Sequence, residues 1–152
     1  MANPRCVDRH RHGGDRSQPA ARSNGGVRSF ALVAIGGAAG TLSRHGIAEA
    51  LDSDRLFPLS TFLVNVTGSF ALGALLAVLL VRDHSAPANR LRLLLGAGFL
   101  GGYTTYSALA VETDTLLRGD HVVLGLTYAV GSVVAGVVAA YAGVAAGRAV
   151  AR

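Results

Sequence analysis

Four stretches of the chain carry almost no charge: Ser29–Ser43, Leu56–Val81, Leu93–Val111 and Val122–Gly147. A helix that crosses a bilayer needs roughly 20 apolar residues. The first stretch is short by that measure, but it continues helically through Arg44 and His45 to about Ala50. The pattern predicts an all-α membrane protein of four transmembrane helices, over about 28–50, 58–82, 91–117 and 121–147. They form one domain, 28–148, with no room for a separate soluble one.

The third stretch differs from the others. Its middle reads Gly98-Phe-Leu-Gly-Gly-Tyr-Thr-Thr-Tyr-Ser-Ala-Leu-Ala110. The paired Gly101 and Gly102 lower helix stability, and the hydroxyls of Thr104 and Thr105 compete for backbone groups. In hydrocarbon, non-helical backbone survives only where it is buried in protein or lines a wet cavity. A helix interrupted at that depth frees carbonyl oxygens able to bind a cation. The third helix is therefore predicted to break near mid-membrane and to build an ion site.

Polar residues punctuate the remaining helices. The first carries Gly36-Gly-Ala-Ala-Gly40, whose small residues allow close helix approach, and then Arg44, which either snorkels to the interface or anchors a buried network. His45 and Glu49 belong near the interface. Pro58 suits the first turn of the second helix. Asn65, seven residues on, is its sharpest feature. A primary amide in a bilayer is costly unless paired, so Asn65 either bonds a neighbouring helix or binds an anion. Thr61, Thr67 and Ser69 can bond back to their own helix. Glu112 and Asp114 sit beyond the weak segment, toward water. On the fourth helix Tyr128 and Ser132 are four apart and share a face. They line a polar track or satisfy backbone carbonyls.

Composition narrows the function. The chain is 51% hydrophobic and 15% charged, against about 25% charged in a soluble domain. All fourteen basic residues are Arg, and all but Arg44 lie in tails and loops. That is a topology signal rather than a nucleic-acid-binding face. The terminal side with the second loop carries eleven arginines and the opposite side carries Arg55 and Arg118, which places both termini in the cytoplasm. Residues 1–27 form an Arg-rich tail expected to be disordered, with Val27 as an alternative start. A secretory leader over 1–40 is the competing reading, against which the basic region is unusually long. Cys6 alone forms no internal disulfide or cysteine cluster.

Four helices of this size hardly enclose a pore, and their Gly and Ala faces suit packing against a second copy. No carboxylate sits mid-span, which counts against a small multidrug-type proton-coupled exporter, whose first helix would offer only Glu49. The interior groups are Asn, Ser, Thr and Tyr, donors without negative charge, which suit a small anion. No nucleophile–base pair or phosphate loop marks an enzyme. A non-transporting assembly protein is the remaining alternative.

Together, Gly36-Gly-x-x-Gly40 with Arg44, Pro58-x-x-Thr61-x-x-x-Asn65-x-x-Gly68-Ser-Phe70 and Gly98-Phe-x-Gly-Gly-x-Thr-Thr-x-Ser107 resemble the Fluc (CrcB) fluoride channels of bacteria. The resemblance covers about Phe30 to Gly147. It implies an antiparallel, dual-topology dimer in the inner membrane with two fluoride pathways. Fluoride would leave the cytoplasm passively. Hydrogen fluoride enters as a neutral acid and dissociates inside, so an anion exit protects the cell. The resemblance also implies a structural sodium ion (Na+) at the dimer centre on the backbone carbonyls of Gly101 and Thr104. Asn65, Tyr106, Ser107, Leu109, Tyr128 and Ser132 fall on its fluoride pathway, and Arg44, Gly36, Gly40, Gly102 and Thr105 on structural positions. Leu109 departs from the pattern: the family has a second Phe there, and a Thr where this chain has Ala108. Leucine offers no electropositive ring edge. The chain is therefore expected to act as a homodimer or as one subunit of a heterodimer with a second homologue.

Overall fold

A computed structural model describes residues 23–51, 56–82 and 86–151. The tail up to residue 22, with Cys6, lies outside the described residues. Helix α1 (Ser23–Leu51) is followed by α2 (Leu59–Arg82) and the short α3 (Ala86–Leu91). Widened π-type turns (Arg92–Leu100) lead into a single turn, α4 (Gly101–Tyr103). Then come α5 (Tyr106–Arg118) and α6 (Val122–Ala151). Among the described residues there is no strand. Three helices, Gly25–Leu51, Leu59–Leu79 and Val122–Ala151, are long and apolar enough to cross a membrane. The chain is a multi-pass membrane protein. The stretch predicted as its third span is instead divided among α3, the π-type turns, α4 and α5.

The fold is inverted relative to a soluble domain. Large apolar side chains point outward, among them Phe30 at 76% exposure, Val123 at 80% and Tyr141 at 75%. Ser60, Thr61, Thr105 and Ser132 are buried. Lipid, or a second protein surface, is the only environment in which that arrangement is stable.

Two glycine seams hold the helices together. Along the first, α1 lies against the stretch 92–103. A Cβ at Gly36 would land on the Leu94 carbonyl oxygen, one at Gly40 on that of Phe99, and one at Gly102 on that of Gly37. Along the second, α2 lies against α6, where a Cβ at Gly143 would strike the Phe70 carbonyl and one at Gly147 the Ala74 carbonyl. Without a hydrophobic drive between helices in lipid, such backbone proximity supplies the dispersion contacts that hold a bundle. At one end of the bundle the Arg92 guanidinium (Nη2) donates to the Leu79 carbonyl at 2.7 Å, tying the π-type turns to the end of α2.

The irregular segment is narrower than the sequence indicates. Gly101 and Gly102 stay helical, while Thr104 (φ −80°, ψ 156°) and Thr105 (φ −148°, ψ 123°) are extended. Gly102 serves approach to α1, whereas Gly101 is exposed. The two threonines, not the glycine pair, carry the change of direction.

Candidate functional site

A short cross-strand-like pairing holds the extended threonines. Asn65 on α2 donates through Nδ2 to the Thr105 carbonyl at 2.9 Å, and its Oδ1 accepts the Thr105 N–H at 2.8 Å. One side-chain amide thus satisfies both polar groups of one residue's backbone. It uses the amide oxygen and one of two amide protons, leaving the second proton available. Of the two readings of Asn65 left open by the sequence, helix–helix bonding is the one observed.

The same pairing frees groups on both sides. The Thr105 N–H would continue the helix onto the Gly101 carbonyl, but it turns to Asn65 instead. Downstream, Thr105 caps α5: its Oγ1 accepts the Ala108 N–H at 3.2 Å. The N–H groups of Tyr106 and Ser107, in the first turn, have no intrahelical acceptor. The break therefore presents carbonyl oxygens at the end of α4 and the positive end of the α5 dipole next to one another.

Beside it lies a cavity of about 390 Å³ lined by Asn65, Thr105, Tyr106, Leu109 and Ser132, with Ser69 adjoining. Ser132 is 4% exposed, and its hydroxyl has no partner. A buried hydroxyl left unpaired costs about 1–3 kcal/mol, and such a group at the wall of a largely apolar cavity marks a place for a ligand or water. Asn65, Tyr106 and Ser132 thus border one small volume whose remaining wall is largely aliphatic, with Leu72, Val133, Val137 and Ala140. No cation is among the cavity's lining residues. The chemistry suits a small anion that would exchange its hydration shell for these donors.

Other predicted positions scatter around this cavity. Tyr106 lines it yet is 80% exposed, its ring facing outward from the chain. Leu109 is buried and packs in a cluster with Leu116 and Tyr128. Ser107 is exposed, with its Oγ 3.2 Å from the Thr105 Oγ1. Thr104 bonds its hydroxyl back to the Leu100 carbonyl at 2.9 Å. Gly101 is exposed. Gly36, Gly40 and Gly102 lie in the α1 seam. Arg44 is half-buried, its Nε without a partner, and borders a second cavity of about 310 Å³ with His45, Ser60 and Thr61.

Tyr128 is 2% exposed and does not face the Ser132 cavity. Its hydroxyl donates to the Glu112 carboxylate at 2.5 Å, and the Thr61 hydroxyl donates to the other carboxylate oxygen at 2.7 Å. Glu112, expected near water, is half-buried and held by two helices. Its role is not visible in its own stretch of sequence. The signal that finds it is helical register: Thr61 is four residues before Asn65, Tyr128 four before Ser132, and Glu112 three after Leu109, so each shares a face with a cavity residue.

The family described as CrcB-like protein, Camphor Resistance (CrcB), matches residues 31–144 of the chain. A protein named fluoride-specific ion channel FluC 2 from Leifsonia xyli subsp. xyli is 42% identical over 124 residues, spanning 81% of this chain and 86% of the relative. FluC 2 of Rhodococcus jostii is 46% identical over 112 residues, 74% of this chain and 92% of its own length. A FluC of Thermus thermophilus is 42% identical over 120 residues, 78% and 92% respectively.

Proposed function

The chain belongs to the CrcB family, and from that premise we propose that it is a subunit of a fluoride-selective channel rather than an enzyme. The observation that carries the reading is the cavity at the helix break. Its mostly aliphatic wall carries a few hydrogen-bond donors, among them a buried hydroxyl with no partner, and no cation to trap an anion. Fluoride is the smallest halide and the strongest acceptor, so compact hydroxyl and amide donors compensate its lost hydration better than that of chloride. The Ser132 hydroxyl and the spare Asn65 proton bind the ion. The α5 N-terminus biases the site toward negative charge. Leu109 and the aliphatic walls lower the local dielectric and so strengthen each polar contact.

The segment 86–118 completes the bundle as a fourth, broken span. A structural sodium ion fits its break: with the Thr105 N–H committed to Asn65, the carbonyls of Gly101 and Thr104 are left to hold a hard cation. The ion supplies fixed positive charge when bound. Gly101 is exposed, so one copy would supply only part of a ligand shell, and a second copy the rest. An antiparallel, dual-topology dimer does this. It also covers Tyr106. Flow is passive and follows the gradient, outward when fluoride has accumulated in the cytoplasm. The arginine distribution favours an inner-membrane subunit with cytoplasmic termini, the fixed orientation of a heterodimer subunit, whereas a homodimer requires the chain to insert both ways.

A second reading concerns the partner copy. Leu109 and Ala108 offer neither ring edge nor hydroxyl, which favours pairing with a second homologue that supplies a complete pathway. The test is growth of a bacterium lacking its own fluoride exporter. Rescue in fluoride medium by this chain alone supports a homodimer. Rescue only with the second homologue supports the heterodimer. Absence of rescue in both cases contradicts the channel reading.

A further inference from the structure

We propose that the hydroxyl pair of Thr67 and Tyr103 sets the carbonyls at the helix break in place for the cation, with Tyr103 a positioning residue and not a ligand. The sodium reading is its premise. Tyr103 is the last residue of α4. It is held by its ring, its backbone and its hydroxyl. The ring stacks on Phe99, one turn earlier, with centroids 5.8 Å apart and planes at 11°. The backbone lies against α1, where a Cβ at Gly40 would come within 2.8 Å of the Tyr103 nitrogen. The hydroxyl is 3.1 Å from the Thr67 Oγ1 of α2. Thr67 gives its own proton to the Leu63 carbonyl at 2.6 Å. A hydroxyl has only one proton to give, so Tyr103 is the donor in the pair.

Helix α2 thus grips the break on both flanks. Thr67 takes the side chain of Tyr103 before it, and Asn65 takes the backbone of Thr105 after it. Between these grips a Cβ at Gly68 would strike the Thr104 side-chain methyl, so Thr104 lies directly on α2. Asn65 and Thr67 are about 3 Å apart along a rigid helix axis, which fixes the span of the chain from Tyr103 to Thr105. The Thr104 carbonyl lies inside that span. The Gly101 carbonyl belongs to the single turn that Tyr103 ends. Thr67 is exposed, and at bilayer depth a Val and a Phe would pack there with no polar group to satisfy. What the hydroxyls add is direction: a stacked ring alone can slide over Phe99, whereas a hydrogen-bonded ring is held at its tip. A hard cation takes its oxygen ligands within a narrow range of distances. Freedom removed from the carbonyls beforehand is freedom not lost on binding.

The test is equilibrium binding of radiolabelled sodium to the full chain in detergent micelles, with unfolding followed in parallel. Tyr103→Phe keeps the ring stack and loses the hydroxyl. It raises the half-saturating sodium concentration about threefold, the scale of one interhelical hydrogen bond in a bilayer. Thr67→Val keeps the shape and removes the acceptor, so it shifts binding equally and serves if the first variant fails to fold. The double variant binds as either single one does, since both changes break one bond. Thr67→Ser retains the acceptor and binds sodium as the wild type does. Variants that unfold more easily but bind sodium with unchanged affinity overturn the proposal, because the pair then only satisfies two hydroxyls in lipid. A Thr67→Ser chain that binds as weakly as Thr67→Val overturns it as well, since shape rather than the hydroxyl then matters. A wild-type chain that binds no sodium overturns the sodium reading beneath it, and the proposal with it.

Discussion

Replacing Asn65 with Ala removes one amide and opens two bonds. The Thr105 N–H and carbonyl lose their partners at 2.8 and 2.9 Å, on a residue only 9% exposed. An unsatisfied buried polar group costs about 1–3 kcal/mol, so the pair costs about 2–6 kcal/mol. The adjoining cavity is open and admits water to the vacated space, which places the outcome at the lower end, about 2–3 kcal/mol. The Thr105 cap onto Ala108 survives, so α5 itself remains helical. Asn65→Asp is no rescue. It still accepts the Thr105 N–H but sets an oxygen against the Thr105 carbonyl where a donor stood. Two assays read this. Denaturant unfolding in detergent micelles shows the global loss for both variants. Hydrogen exchange at the Thr105 amide reports the local one, and 2 kcal/mol corresponds to exchange faster by about 30-fold. An Asn65→Ala protein with wild-type unfolding and a Thr105 amide still protected would refute the clamp and leave the amide to the ion alone.

Ser132→Ala removes a buried hydroxyl that has no partner, so it leaves stability unchanged or raises it by about 1 kcal/mol while fluoride efflux falls about tenfold. Parallel unfolding and efflux measurements on the one variant check both halves. Gly102→Ala drives a methyl into the Gly37 carbonyl of α1 and destabilises by about 1–3 kcal/mol through overpacking. Gly131→Ala, with nothing near its added methyl, does not, and comparing their unfolding midpoints isolates the seam.

Much of the fold is legible in the uncharged runs, because a lipid-facing surface must be apolar wherever it is helical. The ends are less so. Helix α1 begins at Ser23, before the expected Arg28, and α6 runs on to Ala151, where Ala and Arg are good helix formers that no charge rule excludes. The third stretch shows the limit more sharply. Composition marks it as weak but cannot separate a glycine needed for chain approach from a residue that leaves the helix. Gly102 is the first and Thr105 the second, and only the α1 backbone on one side and Asn65 on the other tell them apart. Asn65 itself stands out because an amide in a bilayer must be paired, yet its partner is a backbone forty residues away. Glu112 reads locally as a solvated acid near a helix end. Its two donors lie fifty-one residues earlier and sixteen later, beyond any local window. Arg44 is half-buried and borders the same carboxylate's cavity.

The central claim is that this chain conducts fluoride through the donor-lined cavity at its helix break. The most direct measurement is anion efflux from sodium-containing liposomes that hold the purified protein, with fluoride and chloride compared in the same preparation and Ser132→Ala alongside. The account expects fast fluoride efflux, negligible chloride efflux and a marked slowing in the variant. Equal passage of both halides, or fluoride efflux indifferent to Ser132, would contradict it.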